Sequence, residues 1–362
     1  MTIEPYKKKR ILGIFRGFPG LGRVVAGVSL LETLRDKYDY EIKFISYLQG
    51  NKYLRNRGYT HLKEVTPMDY CSIGLLPTNK MGVYIHNTIK EFMPDVIVID
   101  GEPLILQSIK ISYPEQHVVT LLNPADVDNP NNDKEAMDFF NALYSLSDLA
   151  IVHGLRKIKR DYRYKNIISI NTIIRHEIIK IKNIPTNNIY CLLGGGTVNV
   201  DQQFEESTLT IGRLCQKVAI FLPEYTIHIV CSSPNIFNIL KDNNCSNNVL
   251  LHKDIISAKK YYSDACLIIT RSGRNTLSEL AYLGIPAISF VSGCSYRKVE
   301  QTNNIKDINI PTITLVPKDV KVDTLAKICH KLISKKSSIS LLPGNDEAIQ
   351  NFLDVKKYEK SN

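Results

Sequence analysis

The run from Thr270 to Pro286 contains residue types that could hold a nucleotide. Arg271, Ser272, Gly273, Arg274, Asn275 and Thr276 precede a lone acid, Glu279, and the run leaves through Gly284-Ile285-Pro286. A glycine turn that opens a helix presents backbone N–H groups to phosphate. Asn275 or Thr276 is expected to cap that helix. Leu277, Leu280 and Leu283 form its apolar stripe, and Glu279 falls off the stripe, where it is expected to face a cleft or solvent and accept hydrogen bonds from ribose hydroxyls.

Two more glycine turns could approach an anion closely. Gly194, Gly195 and Gly196 followed by Thr197 line up successive backbone N–H groups. Gly17, Gly20 and Gly22 followed by Arg23 make a tighter bend, but their spacing is wrong for a dinucleotide fingerprint. A plain structural turn is the competing reading of each. Candidate proton-transfer groups are Asp100 and Glu102, at the end of an apolar run, with His153 as a weaker candidate. Asn123-Pro124-Ala125-Asp126 follows another such run and could serve an acceptor.

These residues need a scaffold, and the hydropathy pattern supplies one. Apolar runs of strand length occur at 11–15, 41–46, 96–100, 118–123 and 149–152, with helix-period segments at 24–37, 80–92, 104–112 and 134–146 between them. A second series has strands at 189–193, 226–231, 249–251, 266–270, 287–290 and 312–315. Its helices are expected at 204–221, 257–263, 275–283, 298–308 and 322–333. Continuous Val/Ile/Leu runs joined by helices imply parallel sheets covered on both faces. The expected organisation is a domain over 1–165, a linker over 166–187 rich in Lys, Arg, Asn and Ile, a second domain over 188–340 and a tail or helix over 341–362.

The 362 residues are 44% apolar and 23% charged, with a formal net charge of +10. That composition is ordinary for a globular protein, and the length suits two domains. Eight scattered cysteines without a Cys-x-x-Cys pair read as buried thiols in a reducing compartment. No segment approaches the roughly 20 apolar residues that span a bilayer. The basic run Lys7–Arg10 lacks the apolar core of a signal peptide behind it. A cytoplasmic location is expected. The basic balance suits an anionic ligand or peripheral contact with the inner face of an anionic membrane, and nucleic acid ranks below these.

The second half resembles the C-terminal half of the MurG-like glycosyltransferases of the family-28 type. The resemblance runs from Arg271 to Leu280, through Gly284-Ile285-Pro286-Ala287, to Glu300-Gln301-Thr302-Asn303-Asn304. Ile174-Arg175-His176-Glu177 and Gly194–Gly196 match in place, and Gly20–Arg23 and Pro94–Leu104 match more loosely. The resemblance implies the GT-B architecture: two doubly wound Rossmann-like domains with parallel sheets facing an interdomain cleft. It implies a UDP-sugar donor and a hydroxyl acceptor, inversion, and no essential metal or other cofactor. Under it Glu279 would bind the ribose hydroxyls, Ser272 and Gly273 the diphosphate, Gln301 and Asn304 the donor sugar, and Gly194–Thr197 the donor phosphates or acceptor. Many relatives have a histidine after the first glycine turn, where this chain has Arg23, which cannot act as a base near neutral pH. Gly20, Gly22 and Arg23 would then hold an anionic acceptor or phosphate, and Asp100 or Glu102 would be the base. A nucleotide-sugar hydrolase or epimerase of the same fold, and a non-catalytic nucleotide-sugar-binding protein, stay open as alternatives.

Overall fold

The structure is a computed structural model. It describes residues 8–17, 21–64, 79–129, 132–159, 161–193, 202–231, 233–241, 246–253, 256–271, 273–291, 310–335, 339 and 341–354. The chain divides into two compact units: Met1–Ile173 with Gly344–Asn362, and Ile174–Pro343.

Unit 1 begins with β1 (Arg10–Phe15), α1 (Gly22–Tyr38), β2 (Glu41–Ile45), α2 (Gln49–Asn56) and α3 (Asn79–Phe92). It continues with β3 (Val96–Asp100), α4 (Pro103–Ser112), β4 (His117–Leu122), α5 (Pro124–Val127), α6 (Lys134–Tyr144), β5 (Leu149–Gly154) and β6 (Ile167–Asn171). The six strands form one sheet in the order β2-β1-β3-β4-β5-β6, parallel throughout. The central strands feed two cores. In β1, Leu12 and Ile14 join the cluster on one side, and Ile11 and Phe15 the cluster on the other. A strand buried on both faces cannot alternate polar and apolar residues, which is why these segments read as unbroken apolar runs.

Unit 2 comprises α7 (His176–Ile179), β7 (Asn188–Leu192), α8 (Gln202–Val218), β8 (Thr226–Val230), α9 (Pro234–Lys241) and β9 (Val249–His252). There follow α10 (Ala258–Asp264), β10 (Ala265–Arg271), α11 (Arg274–Leu283), β11 (Ala287–Phe290), β12 (Ile313–Val316) and α12 (Val322–Ile333). The second sheet runs β12-β11-β10-β7-β8-β9, again all parallel. Counted within the unit, this is the order of a dinucleotide-type Rossmann sheet, with its switch point between β7 and β10. Cys191, Cys215, Cys231, Cys266 and Cys329 are buried free thiols. Among the described residues no helix is long and apolar enough to cross a membrane.

Two boundaries differ from expectation. The segment 166–187 is not all linker: Ile167–Asn171 is β6, the edge strand beside β5. Its backbone groups find their strand partners along β5, so the unit ends at Ile173 rather than at 165. The C-terminal segment, expected as a tail or helix after the second domain, holds the last helix, α13 (Asn345–Leu353), and belongs to unit 1. Ala348, Ile349 and Phe352 join the core cluster that holds Ile170, Ile173, Leu30 and Leu34. Gly344 N donates to Thr172 O at 2.8 Å as the chain returns.

Candidate functional site

In open parallel sheets, ligands gather outside the carboxyl ends of the strands where the strand order reverses. In unit 1 that point lies between β1 and β3, where Phe15 pairs with Asp100 and Arg16 N donates to Asp100 O at 3.0 Å. The charged groups collect there. Arg23, in the first turn of α1, donates from Nη1 to Asp100 Oδ1 at 2.7 Å. The same guanidinium spans Asp126 from Nη1 at 3.0 Å and Nη2 at 2.7 Å. Asn123 N donates to Asp126 Oδ2 at 2.7 Å and fixes that carboxylate at the start of α5. Asp100 is fully buried, at 0% exposure. Glu102 is also buried, accepts from Tyr47 Oη at 2.8 Å and has Arg16 Nε at 3.7 Å.

The charges act on one another as Coulomb's law requires. Burial pushes the Asp126 carboxyl up, but the charge and hydrogen bonds of Arg23, with the hydrogen bond from Asn123, hold it below its ordinary value. Burial opposes the charge on Arg23, and Asp126 and Asp100 outweigh it, so this guanidinium stays firmly protonated. Gly101 sits between with φ +83, and a Cβ there would stand 2.3 Å from Arg23 Cδ. At Gly17 a Cβ would stand 1.9 Å from Tyr47 O, so this stretch of the first turn leaves no room for a side chain. Gly22 is the first residue of α1. His153 is the penultimate residue of β5, at the carboxyl end of the strand, and is fully buried.

In unit 2 the switch point lies where Thr270 of β10 pairs with Leu192 of β7. β10 ends at Arg271, whose Nη1 donates to Thr208 Oγ1 of α8 at 3.2 Å. The cap of α11 is Gly273 in an extended conformation, not Asn275 or Thr276. Both of those lie inside the first turn, because the helix begins at Arg274, two residues earlier than an Asn275 cap would start it. Its exit is as expected: Gly284 is left-handed at φ 67, and its N–H bonds Leu280 O.

Glu279 departs from the expectation that it faces a cleft or solvent, being only 2% exposed. The α11 helix is covered on two sides. Leu277 and Leu280 are fully buried, and the flank carrying Glu279 lies against Arg175 and α10. Arg175, the residue that precedes α7, donates from Nε to Oε1 at 2.5 Å and from Nη2 to Oε2 at 2.7 Å. Tyr262 of α10 donates its hydroxyl to Oε2 at 2.8 Å. A buried carboxylate costs several kcal/mol unless it is paired and hydrogen-bonded, and this one is both. Burial works against the charge on Arg175, but Glu279 more than compensates and raises it. Burial and the Glu279 charge push the Tyr262 hydroxyl well up, so it remains a donor. Tyr282 Oη donates to Ile179 O at 3.0 Å, and Asn183 Nδ2 to Tyr262 O at 3.0 Å, tying the Arg175 segment to both helices.

The sequence-expected residues Gly20, Gly194, Gly195, Gly196, Thr197, Ser272, Gln301 and Asn304 lie outside the described residues. So does the helix expected at 298–308. Arg23 meets Asp100 in unit 1, with Glu102 two residues further on against Tyr47 and Arg16, and Arg271, Gly273, Arg274, Asn275, Thr276 and Glu279 follow one another along the end of β10 and α11 in unit 2. Tyr262 was not singled out from sequence. The usable signal was the demand itself: a helix glutamate between leucines needs several donors if it is buried. Its arginine partner is 104 residues away, beyond the reach of any spacing rule.

Residues 214–357 match the model of the glycosyltransferase family 28 C-terminal domain. No curated protein sequence matches the chain. Among solved structures, MurG of Acinetobacter baumannii is similar at 14% identity and TM-score 0.57, covering 96% of this chain and 99% of its own. The glycosyltransferase VinC in complex with dTDP is similar at 11% identity and TM-score 0.61, covering 96% and 99%. A UDP-N-acetylglucosamine 2-epimerase is similar at 11% identity and TM-score 0.56, covering 98% and 99%. At such identities the likeness is one of fold. The two Rossmann-like parallel sheets and these likenesses give the chain the GT-B fold, and residues 214–357 of it are similar to the glycosyltransferase family 28 C-terminal domain.

Proposed function

We propose that the chain is a glycosyltransferase that moves a sugar from a UDP-sugar to a hydroxyl acceptor with inversion. The observation that carries this reading is the α11 cluster: Glu279, ordered by Arg175 and Tyr262, on the helix that leaves the β7–β10 switch point of the family 28 domain. Structural neighbours of the same fold include one in complex with dTDP and one complexed with UDP-L-rhamnose. The donor nucleotide would place a ribose hydroxyl on Glu279. The start of α11, with Arg271 and Arg274, would offset the charge of the leaving diphosphate. Ser272, Gly194–Thr197, Gln301 and Asn304 complete the proposed donor contacts.

In the proposed reaction Asp100 or Glu102 takes the acceptor hydroxyl proton. The oxygen attacks the anomeric carbon as the bond from that carbon to the diphosphate breaks, and UDP leaves with the bonding pair. Arg23 has no proton-accepting role and would hold Asp100 ionised. The test is a thermal-shift panel. UDP or a UDP-sugar near 100 times its Kd should add about 2.7 kcal/mol of stability, while NAD and ATP add none. No stabilisation by any uridine diphosphate ligand would overturn the reading. Release of free sugar in the absence of acceptor would convert it to a hydrolase.

A further inference from the structure

The outward face of α6 is apolar. Phe139, Ala142 and Leu146 recur at the three- and four-residue spacing that lines one side of a helix. Leu146 lies just past the last turn, which its N–H extends by bonding Leu143 O at 3.2 Å. All three residues are exposed, Phe139 to 61% and Leu146 to 40%. The inward face is already supplied by Phe140, Leu143 and Tyr144. A surface helix ordinarily turns charged and polar residues to solvent, so this one is apolar on a side it does not need for its own core. Lys110 Nζ, at the end of α4, lies 3.3 Å from Asp148 Oδ2 and brings Ile111, 72% exposed, to the same end of α6.

The loop that joins β5 to β6 borders this face. From Arg156 to Asn166 it carries six basic residues and one acid. It is fastened at both ends. Arg156 Nη1 donates to Asp128 Oδ2 at 2.6 Å, Ile158 N to Ser169 Oγ at 3.1 Å, and Asn166 Nδ2 to Ser145 O at 3.0 Å and Ser147 O at 2.6 Å. Ile158 and Tyr164 pack inward on the core cluster that holds Tyr144. Lys157, Lys159, Tyr162, Arg163 and Lys165 are left outside, Tyr162 at 84%. Arg163 Nη2 donates to Asp138 Oδ1 and to Asp161 Oδ2, each at 2.7 Å. That bond sets the loop against the turn of α6 that carries Phe139, and it offsets the charge of both acids. Among the described residues, Lys157, Lys159 and Lys165 have no carboxylate partner.

We propose that this surface, the outward face of α6 with the β5–β6 loop along its side, docks unit 1 on an anionic lipid bilayer. Phe139, Leu146 and Tyr162 enter the headgroup region, and Lys157, Lys159 and Lys165 meet the lipid phosphates. The inference stands on unit 1 alone and uses no part of the donor reading. Charge selects the occupant. A second copy packed face to face about a two-fold axis would set the same lysines against one another. A nucleic acid would use the lysines and leave Phe139, Leu146 and Ile111 in water. A bilayer with anionic headgroups uses both sets, because apolar side chains bury at its boundary while lysines are drawn to its surface potential.

The experiment is co-sedimentation of the full chain with vesicles of phosphatidylcholine alone and of phosphatidylcholine with about one-third phosphatidylglycerol, each at about 0.1 M and about 1 M salt. The wild type should bind the anionic vesicles at least about tenfold more tightly than the neutral ones at the lower salt, and lose most of that preference at the higher. Lys157→Gln, Lys159→Gln and Lys165→Gln together should weaken binding to anionic vesicles on the order of a hundredfold, at roughly fivefold per lysine. Phe139→Ser should weaken it roughly tenfold without changing its salt dependence. These side chains are exposed, so the unfolding midpoint by circular dichroism should stay in place. A wild type that does not bind anionic vesicles at the lower salt overturns the inference, whatever the variants do. So does binding that survives both sets of substitutions. Tighter binding to a single-stranded RNA probe than to anionic vesicles, unchanged by Phe139→Ser, overturns it in favour of a nucleic acid.

Discussion

Arg23 occupies the position after the first glycine turn, and what it does there follows from its partners. Among the described residues, Arg23 pairs with Asp100 and Asp126, and Arg16 lies beside Glu102. Asp126 takes two of Arg23's hydrogen bonds and is held low, and the proposed base is Asp100 or Glu102. Asp100→Asn should slow transfer on the order of a hundredfold while leaving UDP affinity unchanged, as measured by steady-state kinetics and calorimetry. Arg23→Met removes the shared cation from two buried acids. It should lower stability by about 3–5 kcal/mol in a urea titration at neutral pH. In unit 2, Glu279→Ala removes the proposed ribose acceptor and strands Arg175. UDP affinity should fall by roughly 1.5–3 kcal/mol, the range for a hydrogen bond to a charged group.

At the scale of elements, α10 and the strands beneath it hold a directed chain of hydrogen bonds. His252 Nε2 lies 3.0 Å from His228 Nδ1, and His228 Nε2 lies 3.2 Å from Asn188 Oδ1. Asn188 Nδ2 donates to Asp264 Oδ2 at 2.8 Å, and Tyr190 Oη donates to the same oxygen at 3.3 Å. An amide oxygen only accepts, so His228 carries its proton on Nε2 and receives one from His252. Burial lowers both imidazoles from 6.5, aided at His228 by His252 and Lys260 and opposed by Asp264, and at His252 by Lys260. As pH falls below 6.5 the unfolded chain takes up protons before the folded one does. Stability is therefore lost from about 6.5 downward through the lowered values, and is flat above 6.5 with respect to these two groups. Thermal unfolding followed by circular dichroism should show a midpoint that drops between pH 7 and pH 5, and His252→Gln should reduce that drop. Burial of each element also decides how plainly its sequence announces it. Ile97, Val98 and Ile99 of β3, like Leu267, Ile268 and Ile269 of β10, are buried on both faces and form unbroken apolar runs that mark a strand. β6, with the sequence IISIN amid lysines and arginines, is an edge strand of mixed burial, and composition masked it. The glycine exit of α11 was legible because a left-handed residue needs a local sequence. The Arg175–Glu279 and Arg23–Asp126 pairs were not, because each joins residues more than a hundred positions apart.

At the scale of the whole molecule, unit 1 depends on its last helix. Phe352 is buried in a cluster with Ile349 and Ala348 from its own helix and with Leu30 and Leu34 from α1, and its ring meets Tyr40 edge-on at 6.4 Å. Phe352→Ala should cost about 3–5 kcal/mol of stability, read from the unfolding midpoint, with the loss confined to unit 1. The return of the chain also has a consequence for how the protein is made. Unit 2 is a guest inserted in a host, spliced between β6 and α13, and its splice points meet where Gly344 N bonds Thr172 O. A ribosome delivers the guest complete before the host receives its closing helix, so the segment that starts first is finished last. Joining Ile173 directly to Gly344 would give a host that closes without waiting, and the guest, cut out as 174–343, is one continuous piece of chain.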